Sequence, residues 1–211
     1  MDDEDLRQHE PAREPAAGTR AHAEMLKSAT QRLSFRRTRD ALPTRIDTPR
    51  LTLRAPMRAD VPALQKLADN PNVAEKLARL PSPYTRADAV AFIEIFAQRA
   101  DERPFAITTR QGEFLGVVGF TYAMGHHPEL GYWLGEPHWG KGFMSEAVRA
   151  LLEAAFATGF YPVVEARALQ SNAASIHVLE KAGFANIGAD TEVPGPGRGR
   201  PLYRFRLERP R

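Results

Sequence analysis

Gly131-Tyr132-Trp133-Leu134-Gly135-Glu136-Pro137-His138-Trp139-Gly140-Lys141-Gly142-Phe143-Met144-Ser145-Glu146-Ala147 runs from an apolar strand, through a glycine-rich turn, into an amphipathic helix. The first turn of a helix carries N–H groups without intrahelical acceptors, and its dipole favours negative charge there. Gly140 and Gly142 remove side chains where a phosphate must approach the backbone, and Lys141 adds a cation. The stretch predicts an anion site suited to a phosphorylated cofactor. The same glycines would also serve an ordinary strand-to-helix turn for the sake of its dihedrals, so the loop alone leaves both readings open.

Gly135 through Gly142 reads G-x-x-x-x-G-K-G, one residue short of a nucleotide-binding P-loop. Gly142 stands where the Mg²⁺-holding hydroxyl would be. Three consecutive strands before the loop also argue against the parallel βαβ repetition of such enzymes.

Around this centre the chain reads as follows. Leu51–Arg54 alternates as a strand, and Asp60 caps a helix bearing Val61, Leu64 and Leu67. A helical piece spans Val73–Leu80, and Thr85-Arg86-Ala87-Asp88 opens another. Strands are predicted at Pro104–Thr109, Phe114–Tyr122 and Glu129–Leu134, with Gln111-Gly112 as a hairpin signal. Helix Phe143–Thr158, strand Val163–Leu169, helix Asn172–Ala182 and strands Phe184–Asp190 and Leu202–Leu207 follow. The order β-α-α-β-β-β-α-β-α-β-β is α+β, a mixed, mostly antiparallel sheet with helices on both faces.

Residues 1–45 differ in composition: acidic, then Pro/Ala-rich, then arginine-rich from Arg32 to Arg39. They are assigned to an extension with at most a short helix near Ala21–Leu33, and the domain to 46–211. The Arg32–Arg58 stretch raises association with RNA or the ribosome as a further reading, or packing on a second subunit as a homodimer.

Composition narrows the function. With 43% apolar residues among 211, a packed core is assured, and the absence of cysteine excludes disulfides, thiolate metal sites and a cysteine nucleophile. A net charge of +3 does not point to nucleic acid. No apolar run is long enough to span a membrane, and the acidic start is opposite in sign to a secretory leader, so a cytoplasmic location is expected. No metal-ligand spacing is present.

Downstream, Asn172-Ala173-Ala174-Ser175-Ile176-His177-Val178-Leu179-Glu180-Lys181-Ala182-Gly183-Phe184 reads by itself as a capped helix ending in glycine. Together, the two stretches resemble the GCN5-related N-acetyltransferase (GNAT) superfamily, in its ribosomal-protein alanine/serine acetyltransferase-like branch. Trp139 through Ala147 is similar to the branch's W-G-x-G-[YF]-x-[ST]-E-A, although Trp139 and Met144 depart from the superfamily signature R/Q-x-x-G-x-G/A. Asn172, Ser175, Val178, Glu180, Lys181, Gly183 and Phe184 match the second signature, N-x-x-S-x-x-[VL]-x-E-K-x-G-F. Thr48–Arg54 is similar to the branch's opening strand.

The resemblance implies acetyl-CoA as co-substrate and a primary amine as acceptor. It places the cofactor's diphosphate on the backbone N–H groups of Gly140, Lys141, Gly142, Phe143, Met144 and Ser145, with Trp139 as a further cofactor-binding residue. The pantetheine arm would lie along Tyr132, Trp133 and Leu134, with Asn172 near the thioester; Lys181 is a further candidate for a phosphate. The tyrosine that many relatives use to protonate the leaving thiolate is replaced by Leu179, so Ser175 is the candidate acid. Glu129 is the candidate base, with Asp190 and Glu192 as alternatives. Protein α-amino groups, small-molecule amines, and a regulator that binds acyl-CoA without turnover all remain open as functions.

Overall fold

In the computed structural model, which describes residues 29–30, 33–77, 80–190 and 199–210, eight strands form one sheet: β1 (Arg45–Asp47), β2 (Leu51–Arg54), β3 (Glu102–Thr109), β4 (Phe114–Thr121), β5 (Glu129–Leu134), β6 (Val163–Leu169), β7 (Ala185–Asp190) and β8 (Leu202–Glu208). Their spatial order is β1-β2-β3-β4-β5-β6-β8-β7. Every pairing is antiparallel except β5 with β6. That exception forms because α5 (Phe143–Ala157) carries the chain back across the sheet between the two strands.

The helices cover both faces. Residues 33–40 form α1; α2 (Val61–Ala68), α3 (Pro71–Glu75), α4 (Arg86–Glu94) and, after α5, α6 (Ala173–Lys181) follow along the chain. Strand alternation sorts β3 into two cores. Phe105 and Ile107 join Leu51, Leu130, Val148 and Leu151 on the α5 side, while Ala106 joins Val61, Leu64, Ala89 and Ile93 on the α2–α4 side. A strand buried on both faces reads as an almost continuous apolar run, as Pro104-Phe105-Ala106-Ile107 does.

Local signals place most elements within a residue or two of their predicted bounds. The Thr85–Asp88 capping box closes as expected: Asp88 N–H donates to Thr85 Oγ1 at 3.2 Å, and Thr85 N–H donates to the Asp88 carboxylate at 2.8 Å. Asp60 departs from its predicted capping role. It is buried, and its carboxylate accepts from both Arg54 terminal nitrogens at 2.7 and 2.8 Å and from Met57 N–H at 2.9 Å. A buried carboxylate gains more from a guanidinium than from a cap. The piece expected at 73–80 is the shorter α3, started by Asn70, whose side chain accepts from Asn72 N–H.

The N-terminal side also differs. The helix expected near Ala21–Leu33 lies almost wholly outside the described residues. Within the segment assigned to the extension, however, α1 packs on the sheet. Phe35 stacks on Tyr122 with ring centroids 6.2 Å apart, Tyr161 donates to the Thr38 carbonyl at 3.1 Å, and Leu42 is 3% exposed. Strand β1 then pairs with β2. The packed body therefore begins N-terminal to residue 46. Arginines mask the sparse apolar spacing of Phe35, Thr38 and Leu42 in the sequence. Further along the arginine-rich stretch, Arg45, Arg50, Arg54 and Arg58 pair with Asp47, Glu146, Asp60 and Glu94.

Candidate active site

The glycine turn follows β5 and opens α5. Gly140 and Gly142 have φ of +72° and +75°, the left-handed region that glycine enters without a Cβ penalty. Among the described residues, a Cβ built on Gly140 would meet nothing within 4 Å, so the space beside the turn is open. The turn is tied down on three sides. Trp139 Nε1 donates to the Leu134 carbonyl at 2.8 Å. Asn70 and Asn72, at the start of α3, each donate to Glu136 at 2.7 Å. From the β1–β2 turn, Thr48 Oγ1 and Arg50 Nε donate to opposite oxygens of Glu146 at 2.6 Å, and Arg50 donates to the Lys141 carbonyl at 2.9 Å. Burial pushes the Glu146 carboxyl up, but the hydrogen bonds from Thr48 and Arg50 outweigh it and hold the group below its ordinary range.

Of the predicted cradle residues, Gly140, Lys141 and Gly142 are exposed. The Met144 side chain is buried in the core, and Phe143 packs against that core beneath the Arg50 guanidinium. Those two positions therefore present main chain, not side chain, to the turn. Asn70, Asn72, Thr48 and Arg50 had no part in the sequence-based site. Their contacts lie 64 to 98 residues away in sequence, and no local spacing signals them.

Beside the turn the sheet opens. Strands β5 and β6 pair only at Glu129 with Glu165 and Leu130 with Ala166, although both strands continue beyond. Gly135 N–H bonds across to the Leu115 carbonyl on β4. By strand alternation, the main-chain groups of Tyr132 and Leu134 face the opening instead. Leu134 uses its carbonyl to hold Trp139, so among the described residues Tyr132 presents the open edge of this strand. An extended chain could add there as a strand.

The second motif closes the opening from the β6 side. Asn172 caps α6, its side-chain oxygen accepting from Ser175 N–H at 3.1 Å, while its Nδ2 donates to the Lys76 carbonyl at 3.2 Å. Ser175 Oγ lies 3.0 Å from the Tyr132 hydroxyl, which also reaches the Ser175 carbonyl at 3.1 Å. Burial pushes the Tyr132 phenol well above its ordinary value, with the Ser175 contact opposing, so it stays protonated near neutrality. Leu179 is fully buried in the core. Lys181 is exposed in the last turn of α6, at the end away from Ser175.

On the opposite face, Glu129 meets Arg167 of β6, with Arg167 Nε donating to its Oε1 at 3.2 Å and Nη2 engaging Oε2. The bond with Glu129 raises the Arg167 guanidinium above its usual value, aided by the charges of Glu129, Asp190 and Glu165. The candidate base is thus one half of an ion pair, while Glu192 lies outside the described residues. His126 and His127 lie in the β4–β5 loop; His138, near the turn, is depressed by burial. Among the described residues, no group of three His, Asp or Glu side chains could hold a metal ion, and no helix is long and apolar enough to cross a membrane.

A sheet splayed at one parallel pair, with a glycine turn and helix N-terminus beside the splay, defines an acyltransferase of the GNAT type. Comparison with known proteins agrees. Residues 50–185 match the acetyltransferase (GNAT) domain model. An uncharacterized N-acetyltransferase, p20 of Bacillus licheniformis, is 31% identical over 166 residues, covering 76% of this chain and 93% of its own. Two solved structures share the fold at 22% identity. One, the ribosomal L7/L12 alpha-N-protein acetyltransferase RimL in complex with coenzyme A, has a TM-score of 0.68 and covers 79% of this chain and 97% of its own. The other, spermidine N-acetyltransferase from Vibrio cholerae in complex with CoA and spermine, has a TM-score of 0.66, with 77% and 97% covered. The chain belongs to the GNAT family and is an acetyl-CoA-dependent N-acetyltransferase.

Proposed function

We propose that this enzyme transfers acetyl directly from acetyl-CoA to the α-amino group of a protein N-terminus. The observation that carries the acceptor reading is the Glu129–Arg167 pair beside Gly131, at the point where β5 and β6 part. Among the described residues, a Cβ on Gly131 would meet nothing within 4 Å, which leaves room over this position for an incoming amine. A carboxylate has about four lone-pair sites, so one such group can serve a guanidinium and an ammonium together. The guanidinium suits the carbonyl of the first peptide unit.

In this reading the amides of Gly140 to Ser145 hold the diphosphate, and the Tyr132 main chain and Asn172 hold the arm. Glu129, directly or through one water, takes the ammonium proton. As the new N–C bond forms and the C–S bond breaks, Ser175 Oγ–H gives its proton to the departing sulfur, with Tyr132 holding the hydroxyl in place, and the second proton of the nitrogen returns through water to the Ser175 oxygen. The chain has no cysteine, so direct transfer in a ternary complex needs no acyl-thiol on the protein.

The test is to compare kcat/KM for a panel of short peptides with free and blocked N-termini against spermidine and single amino acids. Free-N-terminus peptides are expected to dominate, and Arg167→Leu is expected to narrow their advantage. A preference for the polyamine, or equal turnover of peptides acetylated only at lysine, would overturn the acceptor reading.

A further inference from the structure

The glycine turn is shaped from outside itself, by the turn joining β1 to β2. Arg50 makes four contacts there. Its N–H and Nε donate to Glu146 at 3.0 and 2.6 Å, Nη1 donates to the Lys141 carbonyl at 2.9 Å, and the guanidinium lies 4.8 Å above the Phe143 ring. Thr48 Oγ1 completes the hold on Glu146.

A trans peptide is planar, so its C=O and N–H point in opposite directions. By fixing the Lys141 carbonyl toward itself, Arg50 turns the Gly142 N–H away, to the open side of the turn. Gly142 follows this peptide at φ +75°, and its freedom in φ leaves the plane otherwise easy to flip. The geometry points to Arg50 as a positioning residue for acetyl-CoA: it presets the Gly142 amide that receives the diphosphate, and Glu146 presets Arg50. The role rests on the diphosphate cradle described above. It acts through hydrogen-bond direction, because the positive charge of Arg50 is already met by Glu146.

Acetyl-pantetheine lacks the diphosphate together with the adenosine 3′-phosphate, so it serves as the probe that bypasses the cradle. For Arg50→Met, the ratio of kcat/KM for acetyl-CoA over acetyl-pantetheine is expected to fall about tenfold, the scale of one hydrogen bond from a charged donor. The loss should appear in the acetyl-CoA KM and not in kcat at saturation. Arg50→Lys keeps the charge but cannot reach Lys141 and Glu146 together, so it is expected to fall equally. Glu146→Gln supplies the same readout if the Arg50 variants fold poorly. Recovery in Arg50→Lys would mean direct charge contact with phosphate and would overturn the inference. An unchanged ratio would overturn it as well. Failure of the cradle itself would look different, because wild-type enzyme would then show no advantage over acetyl-pantetheine for acetyl-4′-phosphopantetheine, which adds a phosphate without the adenosine.

Discussion

Replacing Gly142 by Asp, with Asn as its isosteric control, isolates the charge at the start of α5. Both residues tolerate the left-handed backbone better than other side chains, so the strain at φ +75° is closely matched between them. The difference is one negative charge beside amides that would receive a diphosphate. Two unit charges about 4 Å apart interact by ~1 kcal/mol in water and ~4 kcal/mol at an effective dielectric of 20. Gly142 is exposed, and a Cβ there would lie 3.5 Å from an Arg50 nitrogen that partly offsets the added charge. The penalty should therefore lie near the lower limit, about 1–2 kcal/mol, or roughly 5- to 30-fold weaker CoA binding for Asp than for Asn. Titration calorimetry with CoA at low and at ~0.1 M salt measures it, and the gap should shrink as the Debye length falls to about 10 Å. Equal affinity for two folded variants would refute the assignment of this turn as the diphosphate site.

Three further outcomes are expected. Leu42→Ala, in the segment joining α1 to β1, should cost ~2–4 kcal/mol in urea denaturation, because it empties a buried leucine site; a loss below ~0.5 kcal/mol would show that α1 is only loosely docked. Ser175→Ala should lower kcat by ~10²-fold or more with CoA affinity retained, and Tyr132→Phe should lower kcat by a smaller factor that vanishes in the Ser175→Ala background. Glu146 has a depressed folded-state pKa, so its stabilising effect is complete above the ordinary carboxylate range and is lost as pH falls through the lowered value. Acid titration of thermal stability should show this loss below about pH 4.5, and Glu146→Gln should remove that part of the profile.

Much of the fold was legible because its signals are local. The Thr85–Asp88 box, the apolar run of β3, and Gly112 at φ +94° in the β3–β4 turn each depend on a few neighbouring residues. Strands β5 and β6 were predicted at their observed bounds, and α5 within one residue. What local pattern could not supply was competition between partners. Asp60 has the right place for a helix cap, yet Arg54 claims it once the two are buried together. Arginines in residues 32–58 read as a surface stretch, yet Arg45, Arg50, Arg54 and Arg58 are spent on carboxylates.

The candidate site divides in the same way. The glycine turn, the capped α6 and the positions of Ser175 and Asn172 follow from the sequence, because a helix N-terminus carries its own unpaired amides and dipole wherever it lies. That Glu129 meets Arg167, that Tyr132 reaches Ser175, and that Arg50 and Glu146 hold the turn were decided only when distant segments packed together. Hydrogen bonds and ion pairs are short-ranged, and their partners here are separated by 38 to 96 residues. The sequence by itself determined which groups are available; the tertiary structure determined which of them touch.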